Sequence, residues 1–446
     1  MFETLFPYQT EGASWLAATP QALLADEMGL GKSAQVVTAC DLINASNILV
    51  ICPAAVRINW TREFERFSPR ARPCTVLATG KTAPAPGVNV ISYDLLAVNA
   101  GLRKRLMSTP WDVLIIDEAQ YCKERTAKRT KAIYGHNKHP GLMHSAQRTW
   151  RLTGTPAPNN ASELFTHLKS AGIERRPYWD FVFDFCTGFD GDYGYKITGH
   201  QNTTRLKELL NPFMLRRKKS EVLTQLPPLF TQHVTVERSR ALGSEDKNVA
   251  ALASLDHELK IRLNAVQSGP NSDEECLNLL GKTSHSTATL RRHLGLAKLP
   301  SVLEIVEEEL SSGAINKIIL FAIHTQVVDQ AHAALKHYGA VTLNGGTPTA
   351  QRQRNIDAFQ NDPQCRVFIG NILAAGTGIN LTAAHEVAFI EADWVPANNT
   401  QAAMRAHRLG QVNPVRVRFF SCAGSVDETI TRVLAHKTRE IAKIID

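Results

Sequence analysis

Two series of short, β-rich apolar runs, separated by a long stretch of different texture, constrain this chain more than any other feature. "NILVICP" (47–53), "VNVISYD" (88–94), "WDVLIID" (111–117) and "RTWRLTGTP" (148–156) form the first series. "NKIILFAI" (316–323), "AVTLNGG" (340–346), "CRVFIGN" (365–371), "EVAFIEA" (386–392) and "VRVRFFSC" (415–422) form the second. Their apolar residues continue without strict alternation, which suits strands covered on both faces of a parallel sheet. Helix-prone segments lie between them, as in repeated βα units. The expected fold class is therefore α/β, in two blocks. From about 157 to 300 "NNASELFTHLKSAG" and "RLKELLNPFMLRRKKSEVLTQLPP" look helical, and Pro227-Pro228 marks a joint.

Composition narrows the class of partner. The 446 residues are long enough for two to four domains, and 43% apolar content supplies real cores. The formal net charge of +8 favours polyanions such as nucleic acid, although many soluble enzymes carry a similar charge. The eight cysteines form no C-x-x-C pair, which argues against a zinc or redox site and fits free thiols in a reducing compartment. "MFETLFPYQTEG" has no basic region and no long apolar run, and no window reaches membrane-spanning length. A cytoplasmic protein is expected, or a nuclear one in a eukaryote, with no membrane partner.

"LLADEMGLGKSAQVV" (23–37) points to the chemistry. An apolar strand would lead into a turn in which Gly29 and Gly31 let the main-chain N–H groups of the loop, Leu30 included, face a phosphate. Lys32 would reach the β- and γ-phosphates and Ser33 would bind Mg²⁺. Asp26 stands where the strict pattern G-x-x-x-x-G-K-[ST] has its first glycine. A second signal is Asp117-Glu118 at the end of an apolar strand, where α/β sheets place ligands. Asp117 would help hold Mg²⁺ and Glu118 would orient or deprotonate water. The same pair would also serve as a helix N-cap. A third is "QAAMRAHRLGQ" (401–411), which puts Arg405 and Arg408 on one helical face, either to neutralise a transferring phosphoryl group or as a solvated basic helix.

Taken together, these stretches resemble the Swi/Snf-type helicase-like ATPases of superfamily 2. "LFPYQTEGASWL", "LADEMGLGKS", "LVICPAAVRINW", "DEAQ", "RLTGTPAPN", "IILFAIHT", "GTGINLTAA" and "RAHRLGQ" occur in that family's order, and "PFMLRRKKSEVLTQLPP" resembles its inter-lobe segment. "CPAAVRINW" and "GTPAPNNASELF" lean toward the annealing-helicase-like branch. The resemblance implies two RecA-like lobes with parallel sheets and a helical insertion between them. Residues 1–210 would form the ATP-binding lobe, 211–300 a linker and helical insertion, and 301–446 the second lobe with a terminal brace helix. It implies ATP and Mg²⁺ as cofactors, an adenine contact from Gln9, an aspartate at position 26 as the family usually has it, and a nucleotide contact from Gly378. The acidic box ends in Gln120, where the family more often has histidine. The compact layout leaves little space for chromatin-directed accessory domains and favours a prokaryotic or viral source.

By the same resemblance, nucleic-acid backbone contacts fall on Pro53 and Arg57, on Asn344-Gly345-Gly346, on Thr377 and on Trp394. Trp394 would equally suit a packing role. The basic cluster Arg216-Arg217-Lys218-Lys219 would contact phosphate, set the resting arrangement of the lobes, or form a solvated face. Thr153 and Thr155 would couple nucleotide to lobe closure or make ordinary turn bonds. The expected function is a DNA-stimulated ATPase that moves along or remodels double-stranded or forked DNA. A strand-separating DNA or RNA helicase, an ATP-switched binding module and a small-molecule kinase are the competitors.

Overall fold

The computed structural model describes residues 5–136, 139–157, 160–191, 194–223, 226–238, 249–266, 284–375, 379–393, 395–408 and 410–431. The chain divides into two compact units at residues 224/225. Among the described residues no helix is long and apolar enough to cross a membrane.

The first unit is built on the strands β1 (Gln21–Leu24), β2 (Ile48–Cys52), β3 (Cys74–Leu77), β4 (Val88–Ser92), β5 (Trp111–Asp117), β6 (Ala146–Leu152), a hairpin of β7 (Cys186–Gly191) and β8 (Gly194–His200), and β9 (Met214–Leu215). Seven of them form one sheet in the order β9-β1-β6-β5-β2-β4-β3. Every pairing in it is parallel. Helices on both faces bury it. Ile48, Val50 and Cys52 of β2 enter one core, and Leu49 and Ile51 enter the opposite one. The period-two geometry of a strand makes this split, and it explains why the sequence shows unbroken apolar runs. The helices α1 (Pro7–Ala18), α2 (Lys32–Leu42) and α3 (Arg57–Phe67) belong to this unit.

The second unit holds β10 (Leu229–Val236), β11 (Ile318–Ala322), β12 (Val341–Leu343), β13 (Val367–Asn371), β14 (Glu386–Phe389) and β15 (Val415–Cys422). They form a parallel sheet in the order β10-β15-β14-β11-β13-β12. The faces again alternate: Ile318, Leu320 and Ala322 lie on one side and Ile319 and Phe321 on the other. A 28-residue helix, α4 (Ser284–Ser311), packs on this unit. Its Glu309 takes both arms of the buried Arg418 guanidinium, at 2.8 and 2.7 Å, and Arg416 Nε reaches Glu386 at 2.8 Å. Two parallel α/β sheets in separate units answer the expected fold class.

Several local expectations change. The segment "RLKELLNPFMLRRKKSEVL" is not one helix. A helix spans Thr203–Leu210, and it ends just before Asn211-Pro212, where the proline has no N–H to continue it. Met214 and Leu215 then join the first sheet beside Leu23 and Leu24. "LFTQHVTV" (229–236) pairs along its whole length with β15, although it reads as linker in the sequence. The helix proposed for 401–411 stops early: α5 spans Pro396–Ala403, and Arg405 and Arg408 follow in turns. Tertiary hydrogen bonds break it there. Leu381 N donates to Arg405 O at 3.0 Å, and Gln411 Nε2 donates to the carbonyls of Ala384 and Ala406 at 3.0 and 3.1 Å. Most of the proposed brace helix, from residue 432 on, lies outside the described residues.

A buried polar group in the first unit sets an acid limit on stability. Arg151 of β6 is fully buried and donates to Gln21 Oε1 and Ser170 Oγ, at 3.2 and 2.8 Å. His167 is equally buried, with Nδ1 3.0 Å from the Tyr134 hydroxyl. Burial, aided by the positive charge of Arg151, pushes the His167 pKa down to about 3. The unfolded chain titrates this residue near 6.5. Its contribution is therefore complete above about pH 6.5 and is lost as the pH falls toward 3. His167→Gln should remove a slope of about 1.4 kcal/mol per pH unit from the unfolding free energy over that window. Urea denaturation of both proteins between pH 4 and 7 checks it; parallel curves would refute it.

Candidate nucleotide site

Strands β1, β6 and β5 are neighbours and run parallel, so the loops after them share one edge of the sheet. The loop after β1 carries Asp26 to Gly31, and α2 begins at Lys32. Gly29 and Gly31 both have left-handed backbones, with φ of 89° and 70°. A Cβ on Gly31 would also lie 2.3 Å from Gln9 Nε2. Tyr8 Oη and Gln9 Nε2 both donate to the carbonyl of the buried Leu30, each at 3.2 Å, while Gln9 Oε1 accepts from Phe6 N at 3.0 Å. Lys32 Nζ donates to the carbonyls of Asp26 and Glu27 at 2.6 and 3.3 Å. Burial lowers the Lys32 pKa, and the charges of Asp26, Glu118 and Asp117 oppose that shift. The lysine and the acidic pair are thus close enough to feel one another. Ser33 is half-buried in the first turn of α2.

The aspartate at position 26 has a structural partner that the sequence did not reveal. Its carboxylate is wholly buried. Oδ2 accepts from Gln35 Nε2 at 3.0 Å and from Arg217 Nη2 at 2.5 Å, and Oδ1 accepts from Arg217 N and Nε at 3.1 and 3.0 Å. Arg217 also donates to Gln35 Oε1 at 2.8 Å and to Tyr8 O, and stands over the Tyr8 ring. The Asp26 carboxylate therefore braces the loop from within, and its carbonyl meets Lys32. The basic cluster is not a solvated face. Arg216 Nη1 donates to Ala25 O at 3.1 Å, and the buried Lys219 gives its N–H to Glu27 Oε2 at 2.7 Å. The β9–β1 pairing delivers these residues to the phosphate loop.

Asp117 closes β5 and Glu118 follows with φ 54° and ψ 54°, a left-handed conformation that costs an L-residue about 1 kcal/mol or more. Tyr93 Oη bonds the carbonyls of Asp117 and Glu118, at 2.7 and 3.4 Å, and holds that kink. Glu118 makes no side-chain cap to the following turn; its Oε2 accepts from Gln120 Nε2 at 2.8 Å. Asp117 Oδ1 accepts from Glu118 N at 3.0 Å and Oδ2 from Trp60 Nε1 at 2.8 Å. Burial, with the Glu118 charge second, pushes the Asp117 pKa up to about 7. A half-buried carboxylate so disfavoured as an anion would be relieved by a cation. One carboxylate and one hydroxyl are hard oxygen donors of the kind that would suit Mg²⁺. Among the described residues no group of three His, Cys, Asp or Glu could hold a metal unaided.

The remaining candidates scatter by element. Thr153 Oγ1 accepts from Thr155 N at 3.0 Å, an ordinary turn bond, and Gly154 allows close packing, since its Cβ would lie 2.4 Å from Met28 Cγ of the phosphate loop. Pro53 precedes α3, and Arg57 Nε folds back to Ala54 O at 3.1 Å. In the second unit Arg405 Nε donates to Gln401 O and Arg408 Nη1 to Ile379 O, each at 3.1 Å. Asn344 Oδ1 accepts from Gly346 N at 3.0 Å, and Arg352 fastens that loop through the carbonyls of Asn344, Gly345 and Thr347. Thr377, Gly378 and Trp394 lie outside the described residues. Sequence reasoning missed Tyr8, Gln35, Trp60 and Tyr93, and gave Arg217 no specific partner. Each of the four sits within a quoted motif or beside one, but contact with the site is a property of the fold.

Arg217→Ala should strand Asp26 as a buried charge without its cation and cost about 3–5 kcal/mol. Arg217→Lys should recover only part, because lysine lacks the planar fork. Guanidinium denaturation measures both; a loss below 1 kcal/mol for the alanine variant would refute the brace.

Comparisons with known proteins identify the family. The SNF2-related domain model matches residues 8–244, more than half of the chain, and the helicase conserved C-terminal domain model matches residues 301–410. A SWI/SNF-related matrix-associated actin-dependent regulator of chromatin subfamily A-like protein 1 from Xenopus tropicalis is 31% identical over 98% of this chain and 45% of its own length. The DNA annealing helicase and endonuclease ZRANB3 from Mus musculus is 30% identical over 98% of this chain and 40% of its own. The chain thus spans less than half the length of these relatives. Among solved structures, the Sulfolobus solfataricus SWI2/SNF2 ATPase core in complex with dsDNA is 25% identical, covers 99% of this chain and 93% of its own, and has a TM-score of 0.46. A parallel sheet that carries a glycine-rich loop and an acidic pair on one edge, together with the span of the domain match, makes this chain a member of the SNF2-related family.

Proposed function

We propose that the chain is a DNA-stimulated ATPase that uses hydrolysis to move along or remodel duplex or forked DNA. The observation that carries this is the gathering of Lys32, Asp117 and Glu118 on one sheet edge, with both carboxylates acting on the lysine charge. Lys32 binds the β- and γ-phosphates from the turn built by Gly29 and Gly31, and Gln9 sits against the same turn for an adenine contact. Ser33 and Asp117 would hold Mg²⁺, which would supply positive charge against the charge that develops on the phosphates. Glu118 would orient the attacking water. Arg405 and Arg408 serve as the charge-neutralising arginines.

DNA as the partner is supported by the +8 net charge and by the relatives, among them a protein named as a DNA annealing helicase. Pro53, Arg57 and the Asn344–Gly346 loop contact backbone phosphate, so binding carries little sequence information. Arg216 packs on the phosphate loop, and its guanidinium adds positive charge beside Lys32. This supports a role for Arg216 at the nucleotide rather than at the track.

Three variants test the assignments. Lys32→Ala should lose nucleotide binding and turnover together. Glu118→Gln and Arg408→Ala should keep ATP binding within a few-fold and slow hydrolysis by ~10²-fold or more. Normal turnover by Lys32→Ala would remove the site, and equal losses of binding and rate in the other two would remove their roles. DNA-stimulated turnover should fall steeply as salt rises from 50 to 200 mM, through counterion release, on the order of 10²-fold in DNA affinity. A flat response in a titration with blunt duplex would sink DNA as the partner.

A further inference from the structure

The first unit contains three fully buried tryptophans, Trp60, Trp111 and Trp150. A buried indole N–H needs an acceptor. Trp111 and Trp150 find main-chain carbonyls, those of Leu106 and Thr19, at 2.9 and 3.0 Å. Trp60 differs: its Nε1 donates to Asp117 Oδ2 at 2.8 Å. Glu118 N holds the other oxygen at 3.0 Å, so both carboxylate oxygens are oriented by fixed donors and each keeps a lone pair for a cation. Such outer partners of a metal-binding carboxylate typically matter ~10-fold or more in metal affinity.

The origin of Trp60 matters as much as its contact. It stands on α3, which opens at Arg57, immediately after Pro53 and the turn Ala54–Val56. Arg57 and Trp60 are three residues apart, neighbours on one helical face. Trp60 and Phe64 anchor α3 in the core shared with β2 and β5. One rigid turn of helix therefore joins the backbone-contact candidates to the Asp117 carboxylate.

We propose that Trp60 is a positioning residue that holds the Asp117 carboxylate in its Mg²⁺-binding orientation and links it to DNA engagement at Pro53 and Arg57. This rests on the ATPase function proposed above and deepens it: nucleic acid acts on hydrolysis by setting how well the site takes Mg²⁺. Only a ligand that prefers one arrangement of α3 shifts that equilibrium, and backbone phosphate at Arg57 supplies the preference.

The test uses the whole chain and two substitutions. Trp60→Phe keeps an aromatic ring and loses the N–H; Trp60→His keeps a ring N–H and loses more apolar packing. Binding of a fluorescent ATP analogue is measured in EDTA and across a Mg²⁺ titration, with and without blunt duplex DNA. In the wild type, DNA should lower the Mg²⁺ needed for half-saturation. Trp60→Phe should bind the analogue in EDTA within twofold of wild type, need ~10-fold more Mg²⁺, and lose the DNA effect. Arg57→Ala should lose the same DNA effect, and the double variant should be no worse than Trp60→Phe alone. Trp60→His should recover most of the Mg²⁺ response. An unchanged Mg²⁺ requirement in Trp60→Phe, a DNA effect that survives in it, or a Trp60→His variant as impaired as Trp60→Phe would each overturn the proposal. A wild type with no Mg²⁺ response and no DNA-stimulated turnover would instead overturn the underlying ATPase assignment.

Discussion

The first unit depends on a buried ion pair. Asp26 and Arg217 lie far apart in sequence, and their contact fastens the end of the unit to its beginning. Exposed ion pairs contribute little, but a buried carboxylate must be paired and hydrogen-bonded or it will not stay charged. Here four donor contacts from Gln35 and Arg217 meet that demand. The pair does not stabilise the fold by Coulomb attraction alone, since desolvation offsets much of it. What it supplies is register. It sets where the glycine turn begins, and so where Lys32 points.

A second constraint comes from the sheet. Parallel strands place all their following loops at one edge, so a site can be assembled from residues distant in sequence without any of them being flexible. The order β9-β1-β6-β5-β2 brings together the phosphate loop, the threonine turn, the acidic pair, the Arg217 segment and the approach to α3. The central strands β1, β2 and β5 are largely buried on both faces, whereas β9, which carries the Arg217 segment, is half-buried. The second unit repeats the device: Glu391, just past β14, accepts from the N–H groups of Ile323 and His324 after β11, each at 2.9 Å.

How much of this was legible in the sequence depends on what kind of information each residue carried. The central strands were readable, because a strand covered on both faces is a short unbroken apolar run, as "ILVIC" and "IILFA" are. Lys32, Asp117 and Glu118 stood out as candidates because phosphate and metal chemistry would demand fixed residue types at fixed spacing, and the fold does bring their loops to one sheet edge. Edge elements were not. Met214-Leu215 is too short for any period, and "LFTQHVTV" is largely exposed, so its strand is made by pairing with β15 rather than by apolar pattern. Arg405 and Arg408 fitted a helix by spacing, yet competing tertiary hydrogen bonds end α5 before them. Trp60 and Arg217 stood in plain view within motifs, but what a tryptophan or arginine bonds to is decided by strand order.

Glu118 shows where folding and chemistry pull apart. Its left-handed backbone suits glycine, which would release strain of about 1 kcal/mol and let the bend after β5 form without the help of Tyr93. Glycine has no carboxylate. A selection for thermal endurance alone would drift toward it and arrive at a sturdier molecule that, under the function proposed above, would have nothing left to steer water.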